Sequence, residues 1–168
     1  MRKLARTVRA RVAGRIAHPE LAVCWQGVEA FPELPPEHVM SGWMKAAIER
    51  STEITVRFVG TEEGRALNHQ FRGKDYATNV ITFDYAREPV VMADIAICVP
   101  VLHEQAQAQN KTFEAHLAHL LIHGVLHAHG YDHLDEQEAE VMESRETALM
   151  TALGFPNPYS DRIGMVHD

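Results

Sequence analysis

The sequence predicts an α+β domain, a small mixed β-sheet packed with helices. Three observations predict it. Short β-branched or alternating runs fill the first two thirds of the chain, and longer helical patterns close it. Residues 116–133, HLAHLLIHGVLHAHGYDH, are apolar in nearly every direction around a helical axis, as a core helix is, yet they hold six of the eleven histidines. Finally, 168 residues, 46% apolar and 23% charged, suffice for one core of ordinary size.

The elements follow in order. LAVCW (21–25) reads as a first strand, and FPELPPEH after it as a proline-marked loop. A helix is expected over about 37–50. ITVRFVG (54–60) alternates and is β-branched, hence a strand. Thr61, followed by Glu62 and Glu63, has the form of an N-cap with acids in the first turn. The short helix it opens is expected to stop before the polar loop FRGKDYATN. VITFDY (80–85) and ADIAICV (93–99) are two further strands, the second apolar enough to be central. Pro100 opens the next helix at a tolerated first-turn position. The histidine helix follows over about 112–128. A last helix starts near Asp135, where DEQE has the form of a capping box, and stops at Gly154. Cys24 and Cys98 read as core residues.

The net charge of −7 is segregated. Arg2, Lys3, Arg6, Arg9, Arg11 and Arg15 sit in the first fifteen residues with no acid, so the other 10 basic and 23 acidic residues leave −13 on the rest. An acidic body speaks against a general electrostatic grip on nucleic acid, and no DNA partner is expected; the basic arm can supply a local contact. That arm has neither the apolar stretch of a signal peptide nor the serines of a transit peptide. It is expected to be a partly ordered basic tail over 1–20, followed by a single domain over 21–160 and a tail over 161–168. No apolar run approaches the ~20 residues that span a bilayer. Two cysteines build no disulfide framework, so the expected home is cytoplasmic, without a membrane partner.

The chemistry concentrates in the histidines. His123 and His127 stand four apart and leave one face of a helix a turn apart. Gly130 is placed to end the helix in a left-handed conformation, so that the chain folds back and His133 returns toward the same point. The pattern H-x-x-x-H-x-x-G-x-x-H has the ligand spacing of a class of zinc proteases, with Gly124 where those enzymes carry a glutamate base. Three imidazoles and an open fourth position suit a catalytic zinc ion, one per chain. Burying several imidazoles without partners is costly, and a shared metal removes that cost. His119 is expected beside the site rather than in it, His116 in the core, and His129 pointing away. Without the glutamate, peptide hydrolysis lacks its proton acceptor; a phosphodiester needs cationic stabilisation instead, which arginine provides.

HGVLHAHGYDH (123–133) matches the pattern H-G-x-L-H-x-x-G-Y-D-H. LNHQFRGKDYATNVITF (67–83) is similar to L-N-x-x-x-R-x-K-D-x-x-T-N-V-L-S-F. On these two motifs, and on ADIAIC and EAHLAHLLIHG, the chain resembles the YbeY family of single-strand-directed endoribonucleases from about residue 53 to 159. The resemblance implies zinc ligands at His123, His127 and His133, an essential arginine at Arg72, and a catalytic site built on Arg72 and His123. It further implies single-stranded rRNA as substrate, maturation of the small-subunit rRNA 3′ end, and ribosome quality control. The chain departs from the family pattern at Thr82, Asp84, Ala93 and His129.

Three readings follow. The first is a zinc-dependent endoribonuclease in which an activated water or the RNA's own 2′-OH attacks. The second is a metal-dependent peptide or amide hydrolase that recruits Asp132 or Asp94 as its base. The third is a non-enzymatic ribosome-assembly factor whose zinc pins the last helices together. The acidic body suggests the small subunit, or a basic ribosomal protein, as partner.

Overall fold

A computed structural model describes residues 18–160. All but the last three residues of the expected basic arm, and the whole 161–168 tail, lie outside the described residues. Four strands, β1 (Leu21–Gln26), β2 (Thr52–Val59), β3 (Val80–Ala86) and β4 (Val91–Cys98), form one sheet in the order β1-β2-β4-β3. β1, β2 and β4 run parallel, and β3 pairs antiparallel with β4, so the sheet is mixed, as expected. β4 is central and β3 is an edge. The helices are α1 (Glu37–Ala47), α2 (Thr61–Arg72), α3 (Val99–Ala108), α4 (Phe113–Ala128) and α5 (Glu136–Ala152).

Alternation along the strands decides what each face of the sheet carries. Ile54, Val56 and Phe58 of β2 and Ile95 and Ile97 of β4 are buried and pack with Leu117, Leu121, Ile122 and Val125 of α4 in one core. Each such side chain contributes roughly 1.5–3 kcal/mol by leaving water. The residues between them, Thr55 and Arg57 on β2 and Asp94 and Ala96 on β4, face the opposite side, partly covered by α2.

The caps follow sequence chemistry. Thr112 accepts a hydrogen bond from the Ala115 amide at 3.0 Å, and Asp135 accepts one from Glu138 at 2.8 Å. Two expectations for α2 are corrected. Its N-cap is Gly60, with Thr61 already inside the helix, and the helix runs through Phe71 and Arg72 rather than stopping before them. The cause is Gly73, whose φ of +69° closes the helix; its amide bonds the His69 carbonyl and that of Lys74 bonds Asn68. Arg72 therefore sits on a helical turn, not on a loop. α1 ends three residues earlier than expected, at Ala47, because Ile48 is extended. Cys98 is buried, but Cys24 is only half-buried, since β1 is an edge strand.

Candidate metal centre

α4 is buried along nearly its whole length, which is why it can fix side chains rigidly. His123 and His127 project from it with ring centroids 6.4 Å apart and planes within 5°. The chain leaves the helix at His129 and turns at Gly130, whose φ of +108° a side chain would rarely adopt. The Asp132 carboxylate accepts the His133 amide at 2.8 Å and shapes the return. His133 then stands 5.7 Å from His123 and 6.3 Å from His127, centroid to centroid. The fold thus brings the three together.

A carboxylate missed at the sequence level orients the first of them. Glu146 on α5 is fully buried. Its Oε2 accepts from His119 Nε2 at 2.6 Å and from His123 Nδ1 at 3.1 Å, and its Oε1 accepts the Tyr159 hydroxyl at 2.7 Å. Burial by itself would push this carboxyl up, but the His119 and His123 rings hold it well below the ordinary carboxylate range. An ionised carboxylate only accepts, so the His123 ring donates a proton from Nδ1, which makes Nε2 the metal-binding nitrogen of the neutral ring. The signal was present in the sequence: Glu146 shares a helical face with Met142, Leu149 and Met150, all buried. His119, expected beside the site, reaches His123 through this carboxylate.

Burial, and then the neighbouring His123, lower the pKa of His127. A neutral imidazole is the form that binds a metal. Among the described residues no three candidate donors are gathered as a formed metal cage. The spacing accounts for this: with Zn–N bonds of about 2.0–2.1 Å at tetrahedral angles, ring centroids stand roughly 5 Å apart, and here they stand 5.7–6.4 Å apart. The donor set fits a metal that prefers imidazole, with a small inward movement of the rings.

Gly124 explains the missing glutamate. A Cβ at this position would come within 2.6 Å of Ile95 Cδ1 on β4, so the position faces the sheet and a side chain there must displace Ile95. Of the two substitute bases, Asp132 lies near the histidines, where its charge acts on His127, and Asp94 does not. Asp132 is engaged in the turn, and Asp94, next to Ile95 on β4, faces the side of the sheet away from α4, where it accepts the Tyr85 hydroxyl at 2.7 Å.

Arg72, on the last turn of α2, lines a groove of about 320 Å³ together with Phe71, Thr82, Phe83 and His127. A guanidinium and a candidate ligand therefore border the same opening. His129 turns away, as expected. Its Nδ1 donates to the Val125 carbonyl at 2.8 Å and its Nε2 accepts the Glu49 amide at 3.2 Å, which fixes a neutral ring, and burial lowers its pKa. His116 is a core residue that donates to Gln105 at 2.9 Å, and burial lowers its pKa to about 3.

Comparison with known proteins gives one answer. The family model described as Endoribonuclease YbeY matches residues 34–154. Endoribonuclease YbeY of Albidiferax ferrireducens is 56% identical over 124 residues, 74% of this chain and 84% of the relative. That of Methylibium petroleiphilum is 51% identical over 147 residues, 87% of this chain and 99% of the relative. The solution structure of TM1509 from Thermotoga maritima matches with a TM-score of 0.52 at 27% identity, covering 86% of this chain and 99% of that one.

Proposed function

The chain belongs to the endoribonuclease YbeY family, and from that membership we propose that it is an endoribonuclease that cuts single-stranded RNA in ribosomal RNA maturation, with zinc held by His123, His127 and His133. The observation that carries the reading is the approach of these three rings beside a groove that Arg72 also lines. Zinc, when bound there, is a Lewis acid that lowers the pKa of water to about 7.

The chain's own residues supply the rest. Glu146 holds His123 in one tautomer and one orientation, so the site is set before substrate arrives. Arg72 offers a planar fork of donors to the non-bridging oxygens of a phosphate, where negative charge grows as the bond breaks. Gly124 leaves the helix without a proton acceptor, which disfavours amide hydrolysis and suits a phosphodiester whose charge is met by a cation. The nucleophile is either water or the RNA 2′-OH, and the products separate them, because internal attack leaves a cyclic phosphate. The wider assignment, to the 3′ end of small-subunit rRNA, to ribosome quality control and to a basic ribosomal protein as partner in the cytoplasm, rests on the family likeness and the acidic body. No described helix is long and apolar enough to cross a membrane.

The test is cleavage of an end-labelled single-stranded RNA by the purified, zinc-loaded chain beside His127→Ala and Arg72→Ala variants prepared identically. Cutting by the parent alone, with both variants folded, supports the assignment. Equal cutting by all three exposes a contaminant, and no cutting by any overturns the assignment for free RNA.

A further inference from the structure

The opposite face of the sheet carries a second groove, of about 360 Å³, whose walls include Arg57, Phe71, Phe83, Tyr85 and Asp94. Phe71 and Phe83 also line the Arg72–His127 groove, so the two grooves adjoin at the β3 edge. Phe71 meets Phe83 edge-on, 4.9 Å between centroids, yet is 55% exposed; Tyr85 is 61% exposed. Arg57, ion-paired with Glu63 at 2.6 Å, lines this groove, and Arg72 lines the other. Aromatic rings on a sheet flanked by cations are the means by which proteins hold unpaired RNA, with bases stacking and phosphates paired.

We propose that this groove seats the nucleobase adjoining the scissile phosphate, stacked on Phe71 and Tyr85, so that the strand runs from the sheet face around the edge of β3 to Arg72 and the histidines. The proposal rests on the endoribonuclease reading above and adds to it the binding track. The polar wall of the groove is mixed: Arg57 donates, Gln26 and Thr55 can donate or accept, and Asp94 accepts. Asp94 Oδ2 takes the Tyr85 hydroxyl at 2.7 Å, and Asp94 Oδ1 is buried without a partner. Double-stranded RNA cannot enter, because its bases are already stacked and paired.

The experiment places 2-aminopurine beside the cleavage position of a short single-stranded RNA. Quenching on binding is read in the full-length His127→Ala chain, and KM and kcat are read in the native background. Stacking predicts quenching that Phe71→Leu and Tyr85→Ala each remove, with affinity weakened roughly 5- to 150-fold and KM raised more than kcat is lowered. Thermal melts of the variants confirm folding, and Phe71→Leu retains the apolar contact with Phe83. If the native chain cuts RNA while these variants bind, quench and cut like their parents, the groove proposal is overturned and the nuclease stands. If quenching responds to the variants but the native chain cuts nothing, the nuclease reading falls and the groove remains a seat for RNA.

Discussion

Gly124 on α4 lies against Ile95 on β4, and a methyl group on Gly124 would meet Ile95 Cδ1 at 2.6 Å, Cγ1 at 3.2 Å and Cγ2 at 3.3 Å. The whole isoleucine side chain, not its tip alone, stands in the way. This contact sets how closely the histidine helix approaches the sheet. Gly124→Ala should therefore destabilise by about 1–3 kcal/mol, against the ~1 kcal/mol that alanine gains over glycine in a helix. Ile95→Val removes the atom in closest conflict, so the double variant should lose less than the sum of the two single losses. Urea unfolding midpoints check this; strict additivity would place the constraint elsewhere.

Glu146→Gln keeps the shape of the buried side chain but offers one acceptor oxygen where the carboxylate used both. His123 then loses the partner that fixes its proton on Nδ1. Zinc affinity should fall about 10- to 100-fold, measured by competition with a chromophoric chelator. Tyr159→Phe, which removes one donor and leaves the histidine contacts, should have a smaller effect. Unchanged affinity in Glu146→Gln would mean that the carboxylate holds α5 to α4 and does nothing to the site.

Metal removal gives a separate test. A ligand present at about 100 times its Kd stabilises the folded state by ~2.7 kcal/mol, so a chelator should lower Tm in the parent chain. His127→Ala should begin from the lower value and respond little to the chelator. Equal responses in both would exclude His127 from the ligand set.

Arg72→Lys retains the charge but loses the planar fork. Its kcat on single-stranded RNA should fall about 10²- to 10³-fold, the cost of losing one well-placed transition-state donor. Tm should stay close to the parent value, because the residue lies at an exposed helix end. A parallel loss of stability would point to a structural role.

His116 predicts a pH dependence of stability. Burial, with smaller contributions from His119 and Lys111, lowers its pKa from 6.5 to about 3. The unfolded chain therefore binds a proton that the folded chain refuses between those values. The His116 contribution is fully present above pH 6.5 and is lost as pH falls from there toward 3, at up to ~1.4 kcal/mol per pH unit. Comparing urea unfolding of the parent and His116→Gln at pH 7 and pH 5 isolates this group before most carboxylates titrate. The same slope in both would show that His116 is protonated in the fold.

The sequence by itself determined the elements and the ligand spacing, because both are local. Period-two runs gave the strands, Thr112 and Asp135 capped their helices, and H-x-x-x-H followed by a glycine turn returned His133 to the pair. Its one misplaced boundary of consequence, the end of α2, turned on Gly73, a C-terminal glycine three residues past the expected stop. What only the tertiary structure decided depends on packing between segments far apart in the chain. Glu146, twenty-three residues after His123, becomes its partner because α5 lies along α4. Arg72 reaches the opening beside His127 because α2 ends at the edge of β3. Asp94 is removed from the histidines because strand alternation turns it to the other face once Ile95 is fixed in the core. Side-chain direction within an element follows from its period, but which faces meet is set by the packing of the whole domain.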